Sequence, residues 1–148
     1  MYPLNFPSYE FKIARIDEML KIFDVVRKKY VHLSPEEWVR QHAVHYIIHD
    51  LGYPRSMIRT EAGLKFNRMT KRSDIVVYAN TGDVFMLIEC KAPTVKINQK
   101  VFDQLSTYNQ FYHSKYLALT NGLEHKLAVI NYELKSYEFL DGFPAYRT

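Results

Sequence analysis

Residues 74–91 read DIVVYANTGDVFMLIECK, and this stretch predicts a β-hairpin. Two apolar runs rich in β-branched and aromatic residues flank the segment NTGD, whose residue types are typical of turns. If the turn holds an even number of residues, the opposed pairs include Ala79 with Val84 and Asp74 with Glu89. An odd turn would shift the register by one residue and send Asp74 to the opposite face of the sheet.

The even register brings three charged side chains to one face. Opposed residues have Cβ atoms about 4.5–5.5 Å apart, and Lys91 shares the face of Glu89 because it lies two residues further along the strand. Two opposed carboxylates destabilise a sheet unless a cation compensates their charge. Mg²⁺ is the natural candidate, since it prefers oxygen ligands and is commonly held by one or two carboxylates together with substrate phosphate oxygens. An ammonium beside a metal-bound water would orient or deprotonate the nucleophile.

The alternative interpretation is that Asp74, Glu89 and Lys91 are solvated charges on the surface of a sheet. Against it, Glu89 and Lys91 flank Cys90 directly after an apolar run. Charges at the end of a buried strand are costly unless they have a task. The residues alone do not decide between a metal site and solvated surface charges.

Composition bounds the class of protein. The chain has 148 residues, of which 47% are hydrophobic and 24% charged, so we expect a single domain over residues 1–148 with residues 1–33 as an N-terminal extension. The net charge of +4 suits an acidic partner such as nucleic acid. The apolar runs fall far below the ~20 residues that cross a bilayer, so we expect no membrane span. Cys90 is the single cysteine and the N-terminus lacks a signal pattern, which predicts a cytoplasmic protein.

Local signals predict the other elements. A hydroxyl cap, a proline and a glutamate in Ser34-Pro35-Glu36-Glu37 predict a helix that ends near Gly52. Residues 57–66 resemble one strand, followed by a basic loop with Arg68, Lys71 and Arg72. We predict a second helix over residues 98–112 and strands over residues 116–120, 127–132 and 136–140. Residues 11–33 fit either a helical stripe or strands, and periodicity alone does not decide between them.

Two stretches resemble a known family. The residues Arg72-Ser73-Asp74-Ile75-Val76-Val77-Tyr78 and Leu87-Ile88-Glu89-Cys90-Lys91-Ala92-Pro93 resemble the PD-(D/E)XK nuclease signature, in the version found in the N-terminal domain of type I restriction enzyme R (HsdR) subunits. Gln104-Leu105-Ser106-Thr107-Tyr108 is similar to a Q-x-x-x-Y element of related nucleases, and Leu119-Thr120-Asn121-Gly122 resembles the core strand that follows it, together with the turn of that strand. Ser73 stands where the family name has proline, a departure that does not by itself remove a ligand.

The resemblance implies an α/β (α+β) fold, with a restriction-endonuclease-like αβββαβ core and a mixed central sheet flanked by helices. It implies that Asp74 and Glu89 bind Mg²⁺, for which Mn²⁺ can substitute, and that the carbonyl of Cys90 assists. It also implies that Lys91 is the catalytic lysine.

Two further site residues follow from the resemblance. A glutamate on the first core helix is implied, for which we choose Glu37 and hold Glu36 in reserve, although Glu37 also has an explanation as a capping-box residue. Gln104 would contact the scissile region or orient Lys91. The alternative is that Gln104 is an ordinary helix former and Tyr108 a core residue.

The function implied is that of a Mg²⁺-dependent DNA endonuclease in restriction or phage defence. Because R subunits carry a helicase motor after this domain, we expect a separate motor or specificity protein, and a homodimer for double-strand cuts. The alternative is a catalytically silent module of the same fold that binds nucleic acid or protein. A third hypothesis is cleavage of RNA or of branched or single-stranded DNA, because a fold does not set its substrate.

Overall fold

A computed structural model describes residues 3–60, 63–66, 69–72 and 75–147. These residues form two α-helices and eleven strands in three sheets. The elements are β1 (Ile13–Ile16), β2 (Met19–Asp24), β3 (Lys29–His32), α1 (Pro35–His45), β4 (Ile58–Thr60), β5 (Gly63–Phe66), β6 (Met69–Arg72), β7 (Ile75–Tyr78), β8 (Val84–Cys90), α2 (Gln99–Asn109), β9 (Tyr116–Thr120), β10 (His125–Asn131) and β11 (Ser136–Leu140). In the described part of the chain, no helix is long and apolar enough to cross a membrane.

The central sheet has six strands in the order β11-β10-β9-β8-β7-β4. All of its neighbouring pairs are antiparallel except β8 and β9, which run parallel and are connected through α2. Along the chain, α1, β4, β7, β8, α2 and β9 form the αβββαβ core that the family resemblance implies. The predicted fold class is therefore confirmed.

The sheet separates two apolar cores because side chains alternate along each strand. On one face, Val44 and Ile47 of α1 and its continuation pack over Ile88. On the other face, Phe102 and Leu105 of α2 pack over Leu87. Strand β8 is thus buried on both sides, and each fully buried large apolar side chain contributes roughly 1.5–3 kcal/mol to folding.

The β7–β8 hairpin differs from the prediction at its turn. Ile75 pairs with Ile88 and Val77 with Met86, as the even-turn register requires. The turn itself has the odd length of five residues, 79–83, so Tyr78 pairs with Val84, and the predicted pairing of Ala79 with Val84 is wrong. A β-bulge takes up the extra residue and restores the predicted register beyond it. Asp74 lies outside the described residues.

Residues 57–66 do not form one strand. A 3₁₀ turn at Arg55–Met57 leads into β4, which pairs with β7 at the edge of the central sheet. Strands β5 and β6 pair with each other in a separate ribbon, so Lys71 and Arg72 lie in a strand rather than in a loop. Arg68 lies outside the described residues. The alternating pattern failed here because one strand and two consecutive strands share the same period of two.

Of the two alternatives for residues 11–33, a helix or strands, the structure has strands, which form the antiparallel meander β1-β2-β3. Asp17 and Glu18 both adopt positive φ, at 51° and 65°, between β1 and β2. Two consecutive residues of positive φ make the tight hairpin turn that suits twisted strands. A continuous helical stripe is excluded, because these two residues interrupt it.

The first helix begins and ends where the sequence predicts. The backbone N–H of Glu37 donates to Ser34 Oγ over 3.0 Å, which caps α1. After His45 the chain continues in a π-helical turn, Tyr46–Asp50, and Gly52 follows with φ of +84°. Only glycine adopts that conformation without strain, so the helix ends there.

A face of histidines on α1 packs against aromatic rings from the N-terminal residues. His45 lies with its ring centroid 5.5 Å from that of Tyr9 and 4.8 Å from that of Phe11. Burial lowers the pKa of His45 to about 4, and the neighbouring positive charges of His49, His42 and Arg55 act in the same direction. His45 is therefore a neutral packing residue at neutral pH.

We expect acid to destabilise the fold through His45. Its pKa is lower in the folded than in the unfolded state, so its contribution is complete above pH ~6.5 and is lost as the pH falls towards 4. Urea unfolding at pH 7 and at pH 4.5 gives the drop in the free energy of unfolding between the two pH values. We expect this drop to be about 2 kcal/mol smaller in His45→Gln than in the wild type. His32→Gln, at an exposed position, is the control and should lose as much as the wild type. Equal losses in all three proteins would contradict this assignment.

Candidate functional site

Two charged side chains meet at the carboxyl end of β8. The Lys91 ammonium lies 3.8 Å from Glu89 Oε1, with the Glu89 side chain 13% exposed and that of Lys91 31% exposed. Both follow Leu87, which packs towards α2, at intervals of two residues, so they point to the α2 side of the sheet. The distance exceeds the 2.7–2.9 Å of a charge-assisted hydrogen bond. The opposite charges attract each other without a close hydrogen bond between them, so the partly exposed ammonium can also approach a second anion.

The backbone around this pair is fixed by the parallel neighbour β9. Cys90 is opposite Thr120, and the backbone N–H of Lys91 donates to the Thr120 carbonyl over 2.8 Å. The Cys90 side chain is fully buried in the core on the α1 side. What Cys90 can offer a ligand on the α2 side is thus its carbonyl rather than its thiol.

The turn after β9 is hydrogen-bonded to the segment that follows Lys91. Asn121 Nδ2 donates to the Val95 carbonyl over 2.8 Å, while its Oδ1 accepts from the N–H groups of Leu123 and Glu124 over 2.9 and 2.8 Å. Asn121 is 4% exposed, so these bonds are largely shielded from water. The residue types of Asn121-Gly122 are typical of a turn, but they do not indicate the hydrogen bond to Val95, because turn chemistry does not identify a distant partner.

Gly122 lets the N-terminal residues close over this turn. Its φ is +87°, and a Cβ placed there would lie 2.7 Å from Leu4 Cδ2 and 3.1 Å from Val39 Cγ2. The Gly122 carbonyl accepts from the N–H of Asn5 over 2.7 Å. Residues from the N-terminus, α1 and β9 are therefore packed together behind the candidate site.

Glu37 lies in a buried charge network. Its carboxylate accepts from Arg27 Nη2, at 3.2 Å to each oxygen, from Gln41 Nε2 at 2.9 Å and from Arg40 Nη1. The reciprocal arm of a capping box is not formed, since the Ser34 N–H donates to the His32 carbonyl. The capping explanation of the Glu37 side chain is therefore wrong, because two guanidinium groups offer that buried carboxylate stronger partners.

The network extends from α1 to the meander and to β4. Arg27 Nε also contacts Asp24, and Thr60 Oγ1 donates to Asp24 over 3.3 Å. Burial alone would raise the pKa of Asp24, but hydrogen bonds from Arg27 and the positive charge of Arg27 lower it below its usual range. Thr60 pairs with Ile75, which packs on the α1 side, whereas Glu89 points to the α2 side. The network of Glu37, Arg27 and Asp24 thus connects α1, the meander and β4 on the other face of the sheet.

Gln104 lies on the exposed surface of α2. Tyr108, one turn later, is 7% exposed and packs in the α2-side core, with its hydroxyl 3.2 Å from that of Tyr112. Tyr108 is thus the core residue of the alternative interpretation, and the role of Gln104 stays a prediction. In the described residues, no group of three or more His, Cys, Asp or Glu side chains lies together in a position to hold a metal ion. Asp74, the remaining predicted ligand, is not among those residues.

Comparison with known proteins gives a family and a fold. A family model described as the type I restriction enzyme R protein N terminus (HSDR_N) matches residues 35–144. A fragment structure described as an HsdR subunit of a type I restriction enzyme from Vibrio vulnificus YJ016 has a TM-score of 0.54 at 17% sequence identity. The match covers 76% of this chain and 24% of that chain, so at this identity it shows the shared fold alone. No curated protein matches the chain.

Removing the charge of Glu37 should destabilise the protein. We expect Glu37→Gln to lower the free energy of unfolding by about 3 kcal/mol, because Arg27 and Arg40 would lose a buried carboxylate. The matched control is Glu36→Gln, whose side chain is 47% exposed and pairs with Arg40 Nη2 at 3.2 Å. It should cost less than about 0.5 kcal/mol. Urea denaturation measures both, and equal effects would contradict the network.

Asn121→Ala should also destabilise the protein. The variant loses three hydrogen bonds in a shielded turn, which corresponds to about 2 kcal/mol in the free energy of unfolding. Asn131 provides the control, since its Oδ1 accepts one bond, from the Leu134 N–H, in an exposed turn. Thermal and urea unfolding of Asn121→Ala and Asn131→Ala should differ by at least about 1 kcal/mol. A smaller difference would show that the turn contributes little.

Proposed function

Because the chain belongs to the family of type I restriction enzyme R protein N termini, with 110 of its residues inside the matched range 35–144, we propose that it is a Mg²⁺-dependent DNA endonuclease. The observation that carries the proposal is the Glu89–Lys91 pair at the carboxyl end of β8, inside an αβββαβ core. A carboxylate and an amine on one face of a strand end are the groups that metal-assisted phosphodiester hydrolysis needs.

The donor set fits a hard divalent cation. We assign the metal to the carboxylates of Asp74 and Glu89 and to the Cys90 carbonyl, which are all oxygen ligands. Asp74 enters from the sequence alone: it precedes Ile75, whose partner Ile88 precedes Glu89. The Glu89 side chain retains partial exposure, which suits Mg²⁺ because this ion keeps several of its waters. When bound, the metal would supply an activated water and charge stabilisation, and Mn²⁺ would substitute for it.

The chain's own residues would then act on the substrate. In the proposal, the Lys91 ammonium orients the attacking water and stabilises the negative charge that develops on the phosphate. Lys91 is held at its backbone by Thr120, so its stem starts from a fixed point. Gln104 would contact the scissile region or orient Lys91, and Glu37 would hold α1 against the meander.

DNA is the proposed substrate. The net charge is +4, and Lys96 and Lys100 are exposed in the segment after the site strand. Such side chains contribute phosphate contacts that are independent of base sequence. The chain spans about a quarter of the HsdR fragment that it matches. We therefore propose that target selection and translocation come from a motor or specificity protein of a larger restriction complex, and that double-strand cuts need a homodimer.

Cleavage should depend on Asp74, Glu89 and Lys91. With supercoiled plasmid and Mg²⁺, we expect Asp74→Ala, Glu89→Gln and Lys91→Ala each to reduce nicking by a factor of about 100 or more, and EDTA to abolish it. Lys29→Ala, at an exposed lysine of β3 that has no part in the proposed site, is the control and should retain most of the activity.

Calorimetry with Mg²⁺ separates the remaining outcomes. Wild-type protein that neither cleaves nor binds Mg²⁺ would contradict the proposal and favour a catalytically silent module of the same fold. Binding of Mg²⁺ without cleavage would instead indicate that a motor or specificity partner is required.

A further inference from the structure

A cavity lies at the opposite end of the central sheet from Glu89 and Lys91. Its volume is about 470 Å³, within the range of small-molecule sites. The turn after β7, the first residues of β8 and β9, and residues 144–147 form its walls. Nothing in the proposed nuclease chemistry uses it.

Aromatic rings form the wall of this cavity on the core side. The ring centroids of Phe85 and Tyr116 lie 5.1 Å apart, and that of Tyr53 lies 6.1 Å from Phe85. The Tyr53 hydroxyl donates to the Pro144 carbonyl over 2.7 Å, and the Tyr146 N–H donates to the Leu51 carbonyl over 2.8 Å. The rings and the segment that faces them are thus held in place without a ligand.

The bulge in β8 aims Phe85 into this wall. Phe85 is the extra residue between the pairs Val77–Met86 and Tyr78–Val84. It packs with the α1-side core, as its neighbour Met86 does, whereas alternation would place the two on opposite faces. Bulges re-aim side chains in this way and are common beside functional sites.

The charge at the mouth is positive. Lys115 Nζ lies 5.8 Å from the centroid of Phe85 and 5.5 Å from that of Tyr116. Arg147 also lines the cavity, and in the described part of the chain its lining residues include no Asp or Glu. Asn80 adds an amide that can both donate and accept.

We infer that this cavity binds a nucleotide, with the base against the rings of Phe85 and Tyr116 and the phosphate at Lys115 and Arg147. Stacking on aromatic rings and pairing of phosphate with cations are the general means of holding such a group. The nucleotide comes either from solution, as a mononucleotide, or from an unpaired position in a DNA strand. Both sources present the same chemistry.

The test is calorimetric titration in EDTA. Because EDTA removes divalent metal ions, it prevents metal-dependent binding and cleavage at Glu89. The probes are deoxyadenosine monophosphate, deoxyadenosine, inorganic phosphate and a short single-stranded oligodeoxynucleotide. We expect the monophosphate to bind more tightly than deoxyadenosine or inorganic phosphate. Lys115→Ala and Phe85→Leu should each weaken its binding at least about fivefold, and Lys91→Ala should leave it unchanged.

The matched control is Lys126→Ala. Lys126 Nζ lies 5.0 Å from the Phe139 ring centroid, the same kind of contact outside the cavity. Monophosphate binding that Lys115→Ala weakens and Lys126→Ala does not would support a free nucleotide. Binding of the oligonucleotide alone, with the same dependence on Lys115 and Phe85, would support a nucleotide of a DNA strand. The inference is overturned if neither deoxyadenosine monophosphate nor the oligonucleotide binds at millimolar concentration. It is also overturned if inorganic phosphate binds as tightly as the monophosphate, or if Lys115→Ala and Phe85→Leu, as thermally stable proteins, bind the probes like the wild type.

Discussion

Strand β8 is packed on both faces, with the α1-side core against Ile88 and the α2-side core against Leu87. Its backbone pairs with β7 on one edge and with β9 on the other. A strand enclosed in this way can carry charged side chains only where it leaves the core. The positions of Glu89 and Lys91 at the carboxyl end of β8 follow from that constraint.

Elements with a local signal could be predicted from the sequence. Ser34 identified the start of α1, and Gly52 identified the end of the π-helical turn that continues it. The predicted strand over residues 116–120 matches β9. These signals suffice because capping and short apolar runs act within a few residues. Three features could not be predicted in the same way: the bulge at Phe85, the placement of β4 and β5 in different sheets, and the meander. Each is decided by which strand lies alongside, and an alternating pattern is the same for every choice of partner.

In the candidate site, too, the features with a local signal could be predicted and those that depend on distant residues could not. The shared face of Glu89 and Lys91 is a consequence of the period of two, so the sequence sufficed to predict it. Glu37 had a local explanation that was wrong in its side-chain arm, because its partner Arg27 comes from the extension before α1. Asn121 likewise acts on Val95, which is 26 residues away along the chain. Contacts of this range depend on the tertiary fold, and no spacing rule in the sequence indicates them.

The two faces of the sheet are stabilised by different physics at the end that carries the site. On the α1 side, Asp24, Arg27 and Glu37 form a buried ionic network, in which removing one partner costs far more than the pair gains over apolar packing. Such a network favours one arrangement of meander, helix and β4 over others of similar compactness. On the α2 side, Glu89 and Lys91 keep partial exposure and are 3.8 Å apart. A buried ionic face behind a more accessible one is an arrangement that lets a charged pair receive a third, external charge without reorganising the fold around it.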